Sequence, residues 1–470
     1  MIPLSLAEVA QAVGGVLALD GSAATAETVV AGSVETDSRE IGPGGVFVAK
    51  PGEFTDGHDF VPAAVAAGAA LLLVEHDLPS VVPRVVVPDA VIALADLARF
   101  VVARVRAEGR LRVVGVTGSN GKTTTKNLLR AILERVGPTV APLGSFNNEV
   151  GAPITMLRVE PGTRFLVVEM GAGRPGDIRR LVDIVTPDVG VVLTVGLAHV
   201  GMYSGPDAVM AEKSEMVLRL PAAAVAVLNL DDPRVAGMGA LTAARVVGFG
   251  TAAAGAVRAS DIVASASGTR FTLHLPGDRA LPVVFRVLGE HHVTNALAAA
   301  AVADELGVPA ETIVAALQSV VRAERWRMEV VASGKGVTII NDAYNASPDS
   351  TAAALRTLAQ IADPAGRKVA VLGEMAELGE LSGPEHDRIG LLAVRLRIDR
   401  IVVVGEEARR LHISTINEGS WDEESVWFAT ADEAFDYLVG ELRPQDTVLV
   451  KSSKSAGLRF LGDRLGESFS

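Results

Sequence analysis

The chain has 470 residues, of which 49% are hydrophobic, 21% charged and 4% aromatic, and its formal net charge is −13. This composition excludes an intrinsically disordered or collagen-like chain. The negative charge argues against a basic surface for nucleic acid or an anionic membrane. Cysteine is absent, which excludes disulfides, thiolate nucleophiles and Cys-based zinc sites and is typical of a reducing compartment.

The chain shows no targeting or membrane segment by sequence. Its first residues lack a basic stretch followed by an apolar one, as a secretory signal would have. The longest apolar runs, such as 63–74, are far shorter than the ~20 residues that span a bilayer. We therefore expect a soluble cytoplasmic protein without membrane insertion.

Short β-branched runs alternate with Gly-rich turns and Ala/Leu-rich stretches along the whole chain, a pattern typical of α/β proteins. Residues 1–110 combine short strands, Gly/Pro turns and an Ala-rich helix near 62–70, and predict a smaller N-terminal α/β domain. A division at about 150 residues per domain suggests three domains in total.

Residues 111–325 predict a central, mostly parallel sheet with helices on both faces. Its predicted elements are strands 113–116, 165–168, 189–193 and 225–228 and a helix over 293–306. The strands are continuously apolar, which suits a sheet buried on both faces. Residues 269–287 alternate in polarity, and we expect a small antiparallel side sheet there.

Residues 326–470 begin a new series of strands, loops and helices. The predicted strands are 337–340, 369–372, 401–404 and 448–450. This series predicts a C-terminal Rossmann-like α/β domain.

The sharpest motif lies between a predicted strand and a predicted helix. It consists of Thr117, Gly118, Ser119, Asn120, Gly121, Lys122, Thr123 and Thr124. Gly118 and Gly121 let the backbone curl so that its N–H groups converge on phosphate oxygens, next to the positive end of a helix. Lys122 would reach the β- and γ-phosphates, and the Thr123 hydroxyl would hold magnesium.

The spacing of this motif departs from the usual Walker pattern. Two residues separate its glycines, whereas the Walker pattern has four. The alternative interpretation is a tight strand–helix turn with an incidental lysine. The strand before it, the helix after it and the intact Gly-Lys-Thr-Thr favour a phosphate loop that binds ATP or another nucleoside triphosphate.

Three polar residues follow the carboxyl ends of the central strands, where open α/β sheets bind ligands. Glu169 ends a predicted strand and is an oxygen ligand that suits magnesium. His199 follows the next strand and would ligate metal or orient a reacting group. Lys213 lies on a predicted helix that begins at Gly205-Pro206. Singly, each has a structural or solvated alternative; their shared sheet edge favours a site.

The loop at 117–123 resembles the compact phosphate loop of the Mur ligases, ATP-dependent amide-forming enzymes of peptidoglycan synthesis, and the resemblance extends over essentially the whole chain. Matching N-terminal motifs resemble the family's UDP-sugar-binding domain: Asp37-Ser38-Arg39, Pro43-Gly44 with Phe47, Gly52-Glu53, and Asp56-Gly57-His58. Residues 145–151 are similar to its substrate-binding loop. Residues 341–346, 373–379 and 451–455 resemble the members that add D-alanyl-D-alanine.

The resemblance implies a role for each matched residue. Glu169 matches the magnesium-binding glutamate, His199 a histidine near a second magnesium, and Lys213 a lysine that is carbamylated into an anionic oxygen ligand. The implied ATP contacts outside the loop are Asn295, Arg327 and Asp342, and Arg327 also meets developing phosphate charge. The implied catalytic set is Lys122, Glu169, His199, Lys213 and Arg327. The implied substrate-binding residues are Ser38, Arg39, Gly52, Asp56, His58, Asn147, Asn148, Tyr344 and Asn345.

The resemblance also implies the reaction and its partners. The expected activity joins D-alanyl-D-alanine to UDP-N-acetylmuramoyl-tripeptide through an acyl phosphate, giving the pentapeptide, ADP and phosphate with two Mg²⁺ ions. Residues 1–110 would bind the UDP-sugar, 111–325 ATP and 326–470 the incoming dipeptide. All partners are small molecules, and we expect a monomer.

This sequence departs from the family pattern at four places. His292 and Ser347 each replace a common asparagine, Trp326 replaces a glycine before Arg327, and Val200-Gly201 follows His199. Two other interpretations remain. One is the related ligase that adds the third residue, although its Asp-Asn-Pro-Arg motif is absent. The other is a nucleotide-dependent switch protein with the same phosphate loop.

Overall fold

The computed structural model describes residues 1–52, 54–252, 255–322, 324–332, 335–419 and 424–470. The motif residue Glu53 lies outside this part of the chain. The fold is α/β with three sheet-centred domains, as predicted; the domain boundaries near residues 110 and 325 stay predictions. Within the described residues, no helix is long and apolar enough to cross a membrane.

The N-terminal domain is built on a five-stranded sheet. Its elements are β1 (Leu4–Ser5), α1 (Leu6–Val13), β2 (Val16–Ala18), β3 (Val29–Val30), β4 (Val34–Glu35), β5 (Gly45–Val48), α2 (Val61–Ala66), β6 (Ala69–Val74), β7 (Arg84–Val86) and α3 (Ala90–Ala107). The strand order is β2-β7-β6-β5-β4, and β1 pairs separately with β3. The helix predicted over 62–70 is shorter than expected, because Gly68 takes a left-handed φ of 105° and the chain turns into β6.

The central domain carries a nine-stranded sheet. Its elements are β8 (Arg112–Thr117), α4 (Lys122–Leu133), β9 (Thr139–Val140), α5 (Gly151–Met156), β10 (Phe165–Glu169), α6 (Asp177–Ile184), β11 (Val189–Val192), α7 (Pro206–Leu218), β12 (Val225–Asn229), α8 (Pro233–Gly237), β13 (Arg245–Gly250), β14 (Val257–Ser265), β15 (Gly268–Leu275), β16 (Arg279–Phe285), α9 (His291–Glu305) and α10 (Ala310–Ser319). The strand order is β16-β15-β14-β13-β12-β11-β8-β10-β9.

The antiparallel strands β14–β16 do not form a separate side sheet, so that expectation was wrong. β14 pairs in parallel with the end of β13, with Phe249 opposite Val257, and the three strands extend the main sheet. The other central strands are parallel. The predicted helices at Lys122, Pro206 and 293–306 are confirmed as α4, α7 and α9.

Both faces of the central sheet are covered by helices. On one face, α4, α9 and α10 pack with inward side chains such as Val114 and Val116. On the other, α3, α5, α6 and α7 pack together with side chains such as Val113 and Val168. Burial on both faces accounts for the continuously apolar strands.

The C-terminal domain contains a six-stranded sheet. Its elements are β17 (Glu329–Ala332), β18 (Thr338–Asn341), α11 (Pro348–Ile361), β19 (Lys368–Leu372), α12 (Ser382–Arg395), β20 (Arg400–Val404), α13 (Arg409–Asn417), β21 (Ser425–Phe428), α14 (Ala431–Glu441), β22 (Thr447–Lys451) and α15 (Leu458–Ser468). The strand order is β17-β18-β22-β19-β20-β21; β17 and β18 pair antiparallel, and the other neighbouring strands pair in parallel.

Candidate active site

The phosphate loop connects β8 to α4 and depends on two glycines. Gly118 and Gly121 take positive φ angles of 147° and 85°. A Cβ atom on Gly121 would lie 2.2 Å from Asn295 Oδ1, and one on Gly118 would lie 2.9 Å from Leu193 Cβ. Ser119 N–H donates to Thr194 O at 2.8 Å, which ties the loop to the end of β11. The positive φ angles and these close approaches disfavour any larger residue at both positions.

Lys122 folds back over this loop. Its Nζ donates to Gly118 O at 2.7 Å, so the ammonium is held at the loop's concave side. Burial lowers the pKa of Lys122, and the Glu169 carboxylate acts in the opposite direction. The lysine is thus a preorganised cation at the start of α4, where phosphate charge is favoured.

Glu169 ends β10 beside the loop and is fully buried. Its Oε1 accepts hydrogen bonds from Asn147 Nδ2 at 2.8 Å and Thr123 Oγ1 at 3.2 Å. Its Oε2 is buried without a hydrogen-bond partner among the described residues. A buried carboxylate normally has partners for both oxygens, so this free oxygen beside a threonine hydroxyl fits a magnesium ion.

The described protein groups would supply only part of such a metal's coordination. No cluster of three or more His, Asp and Glu side chains in the described ranges could hold a metal ion alone. Mg²⁺ commonly keeps several waters and binds through one or two carboxylates together with substrate phosphates. Thr123 and Glu169 are the two protein groups that fit this pattern.

His199 and Lys213 occupy different positions relative to this carboxylate. His199 lies in the loop after β11, and its Nδ1 contacts the Glu377 carboxylate. Burial and the nearby Lys122 charge lower the pKa of His199. Lys213 is buried on α7, and its burial, reinforced by Lys122, lowers its pKa to about 7. No carboxylate in the described part of the chain forms an ion pair with Lys213.

A cavity of about 280 Å³ lies between the central and C-terminal domains. The predicted residues that line it are Ser119, Asn120, Gly121, Lys122, Thr123, Thr124, Asn147, Glu169, His199, Asn295, Arg327, Asp342, Tyr344 and Asn345. Gly118 lies in the same loop, whereas Lys213 is not among the lining residues. The two domains thus share one polar cavity built around the phosphate loop.

The C-terminal wall of this cavity places a cation opposite Lys122. The Arg327 guanidinium lies 4.5 Å from the centre of the Tyr344 ring, and its Nε is buried without a partner among the described residues. Asp342 Oδ2 accepts from Lys451 Nζ at 2.7 Å and Asp342 Oδ1 accepts from Met328 N–H at 3.0 Å. These contacts fix the segment that carries Arg327.

Comparisons with known proteins assign this geometry to a family. The Mur ligase catalytic, middle and glutamate ligase domain models match residues 31–107, 116–303 and 326–454. The UDP-N-acetylmuramoyl-tripeptide–D-alanyl-D-alanine ligase of Mycobacterium bovis is 44% identical, and the match covers 99% of this chain and 98% of that protein. The chain belongs to the Mur ligase family.

Solved structures share the fold of this Mur ligase over nearly its whole length. The crystal structure of MurF from Acinetobacter baumannii matches with a TM-score of 0.89 and 32% identity, covering 99% of both chains. MurF from Thermotoga maritima, in complex with ADP, matches with a TM-score of 0.81 and 28% identity, covering 93% of this chain and 97% of that one. The predicted family, and the prediction that the chain is an ATP-dependent amide ligase, are confirmed.

Several predicted substrate residues of this Mur ligase lie away from the cavity. Ser38, Arg39, Gly52, Asp56 and His58 are in the N-terminal domain, and the Arg39 side chain is 86% exposed and paired with Asp37 at 2.6 Å. Asn148 lies in another groove, between α3 and α6. The structure therefore brings Asn147, but not Asn148, to the phosphate loop.

His58 is engaged within its own domain. Its Nδ1 lies 2.6 Å from Asp56 Oδ1, and its Nε2 accepts from Glu75 N–H at 2.9 Å. Both ring nitrogens therefore have protein partners. Asp56 also accepts the His58 N–H at 3.0 Å, so the two residues hold a loop in place.

Four residues that line the cavity were not among the individually predicted site residues, although the first and last lie in segments that match the family: Ser145, His291, Ser350 and Lys451. Burial lowers the pKa of His291 to about 4, and burial also lowers the pKa of His292. His292 Nε2 is a buried ring nitrogen without a partner in the described structure. The motif that contains Lys451 was a usable signal; nothing local marks Ser350.

Two departures from the family pattern have structural explanations in this Mur ligase. Ser347 caps α11 and donates to Asn120 Oδ1 at 3.1 Å, so it joins the C-terminal domain to the phosphate loop. Trp326 takes a left-handed φ of 56°, where a glycine would meet no steric cost. Its indole N–H donates to Asp463 Oδ2 at 3.0 Å and anchors that conformation.

Proposed function

We propose that this enzyme joins D-alanyl-D-alanine to UDP-N-acetylmuramoyl-tripeptide while ATP is cleaved to ADP and phosphate. The observation that carries the proposal is the interdomain cavity around the phosphate loop, which presents Lys122, the Glu169 carboxylate and Arg327 to one space. The names of its relatives support this substrate pair.

The reaction proceeds in two balanced steps. The terminal carboxylate of the tripeptide attacks the γ-phosphorus of ATP, and the bond between that phosphorus and the β-phosphate oxygen breaks. ADP is the leaving group, and the tripeptide becomes an acyl phosphate. The amine of D-alanyl-D-alanine then attacks the acyl carbon, loses a proton to solvent and expels inorganic phosphate as the amide forms. Both steps depend on positioning and on stabilising charge on phosphate oxygens.

Residues of this chain supply the positioning. Lys122 and the N–H groups at the start of α4 would hold the phosphates, and Arg327 would neutralise the charge that develops on the transferred group. Thr123 and Glu169 would hold Mg²⁺, which when bound supplies further positive charge. His199 and a modified Lys213 are the proposed ligands of a second ion.

A second cavity supports the assignment of the incoming dipeptide. It has a volume of about 250 Å³ and shares His199, Tyr344 and Asn345 with the first. Three small residues line this cavity and leave room for the methyl side chains of the dipeptide: Ala198, Ala346 and Ala376. Lys454 also lines it and forms no ion pair within the described ranges, so it is available for the dipeptide carboxylate.

Substrate dependence tests this function. We expect phosphate release only when ATP, UDP-N-acetylmuramoyl-tripeptide and D-alanyl-D-alanine are all present, measured with a coupled phosphate assay and with mass spectrometry of the pentapeptide. The alternative ligase, which adds the third residue of the peptide, would instead release phosphate with a UDP-linked dipeptide and a free diamino acid. A nucleotide-dependent switch would hydrolyse ATP at a rate indifferent to D-alanyl-D-alanine, and that result would refute the proposal.

Lys213→Ala provides a test of the proposed carbamate. With a pKa of about 7, much of Lys213 is the neutral amine at physiological pH, the form that attacks carbon dioxide. We expect Lys213→Ala to lose about a hundredfold in turnover and to regain part of it with short carboxylates such as formate or acetate.

The matched control is Lys335→Ala, since Lys335 is exposed and does not line the cavity. It should neither lose turnover nor respond to carboxylates. A ¹³C NMR carbamate signal from wild-type enzyme in labelled bicarbonate should disappear in Lys213→Ala. An unmodified Lys213 in fully active enzyme would count against the modification.

A further inference from the structure

Two loops from different domains interlock beside the cavity. One follows β11 and carries His199; the other follows β19 and carries Glu377. Gly201 N–H donates to Glu377 O at 2.9 Å. A Cβ atom on Gly201 would lie 2.6 Å from Gly379 N. The two backbones can therefore touch because both facing residues are glycines.

The two facing residues share an unusual backbone conformation. His199 has a φ of 61° and Glu377 a φ of 62°, both in the left-handed region that side chains other than glycine's rarely adopt. Such conformations persist where surrounding contacts hold them, and they concentrate at functional sites. Here the side chain of each residue contacts the other across the domain interface.

This contact determines which nitrogen of His199 faces the cavity. A carboxylate only accepts hydrogen bonds, so Nδ1 carries the proton that is donated to Glu377. Nε2 then keeps its lone pair, and the ring lines the same cavity as Lys122 and Glu169. Histidines that act at metal centres commonly have such a carboxylate partner on the other nitrogen.

We propose that Glu377 is a positioning residue: across the domain interface its carboxylate accepts the Nδ1 proton of His199 and fixes the orientation of that ring at the phosphate cavity. The proposal rests on the proposed function, because it assumes that His199 acts in the ATP cavity. A residue of the C-terminal domain thereby contributes to the geometry at the transferred phosphate. A competing role is direct binding of the dipeptide's ammonium group, since Glu377 also lines the second cavity.

Glu377→Ala, measured in the full-length enzyme, separates the two roles. If Glu377 acts through His199, kcat should fall about 10- to 100-fold and the Mn²⁺ concentration for half-saturation should rise by a similar factor. The KM for D-alanyl-D-alanine should stay within about twofold. Mn²⁺ binding is read by electron paramagnetic resonance in the presence of ADP and UDP-N-acetylmuramoyl-tripeptide, and so is independent of turnover.

Two further variants keep the test decisive. Glu377→Gln retains an acceptor oxygen for the Nδ1–H of His199 and should keep most of the Mn²⁺ affinity. This variant also keeps the test valid if Glu377→Ala fails to fold. Glu380→Ala changes an exposed glutamate nearby in the same segment and should match wild type. The double variant His199→Ala/Glu377→Ala should be no worse than His199→Ala alone.

Three results would overturn the proposal: unchanged Mn²⁺ affinity in Glu377→Ala, a rise confined to the dipeptide KM, or multiplying losses in the double variant. Failure of the proposed function looks different. It would appear in the wild-type enzyme as phosphate release that does not require D-alanyl-D-alanine, whatever the Glu377 variants do.

Discussion

Lys122→Ala is expected to abolish phosphate release in the presence of ATP, tripeptide and dipeptide, with a loss of at least about a hundredfold in kcat. The reason is geometric. The Lys122 ammonium is held 2.7 Å from Gly118 O, inside the loop that would surround the phosphates. Alanine removes this charge without replacing it, and water cannot supply an equally fixed one. The coupled phosphate assay at saturating substrates measures the effect.

Lys335→Ala again serves as the control, because it removes a lysine charge from an exposed site. Thermal melting of both variants checks that a loss of turnover does not arise from unfolding, because each substitution removes a lysine–carbonyl hydrogen bond. Turnover of Lys122→Ala near the wild-type rate would contradict the assignment of the phosphate loop.

Glu169→Ala is expected to lose a comparable amount of activity through a different cause. Glu169 Oε1 accepts from Thr123, and Oε2 is buried without a hydrogen-bond partner among the described residues. Removal of this carboxylate takes away the charged group that fits magnesium. Glu169→Gln keeps the hydrogen-bonding shape toward Thr123 and Asn147 but lacks the negative charge. We expect both variants to lose at least about a hundredfold in phosphate release, and added Mg²⁺ to restore Glu169→Gln only partly.

The control for this pair is Glu160→Gln, an exposed glutamate in the turn before β10. It should retain wild-type turnover and wild-type Mg²⁺ dependence. Equal Mg²⁺ dependence in Glu169→Gln and wild type would remove Glu169 from the metal site.

The phosphate loop was predictable because its determinants are local. A buried strand, two glycines, a lysine and a helix start within residues 112–122 specify the turn by themselves. The placement of Glu169 was predictable for a related reason. It ends a strand parallel to β8, and the carboxyl ends of parallel strands meet at one sheet edge.

The remaining features depend on contacts between distant parts of the chain. The antiparallel strands were recognised by their alternation, but alternation does not reveal which strand they join, and β14 joins β13. Asp56, two residues before His58, is a local partner for one ring nitrogen of that histidine. The partner of the other ring nitrogen, the Glu75 N–H, is 17 residues away. Likewise, Lys451 enters the cavity because its strand, β22, lies between β18 and β19 in the C-terminal sheet.

The central position of β8 has a consequence for the order of folding. β8 is synthesised before both of its neighbours, β10 and β11, and the loop after it is tied to Thr194. Leu193 O, at the end of β11, in turn accepts from Asn229 Nδ2 at 2.9 Å. Contacts this distant in sequence form slowly, because a long stretch of chain must first be closed into a loop. The contacts that hold the phosphate loop therefore cannot all form during synthesis until the chain has emerged past β12, well after the motif itself.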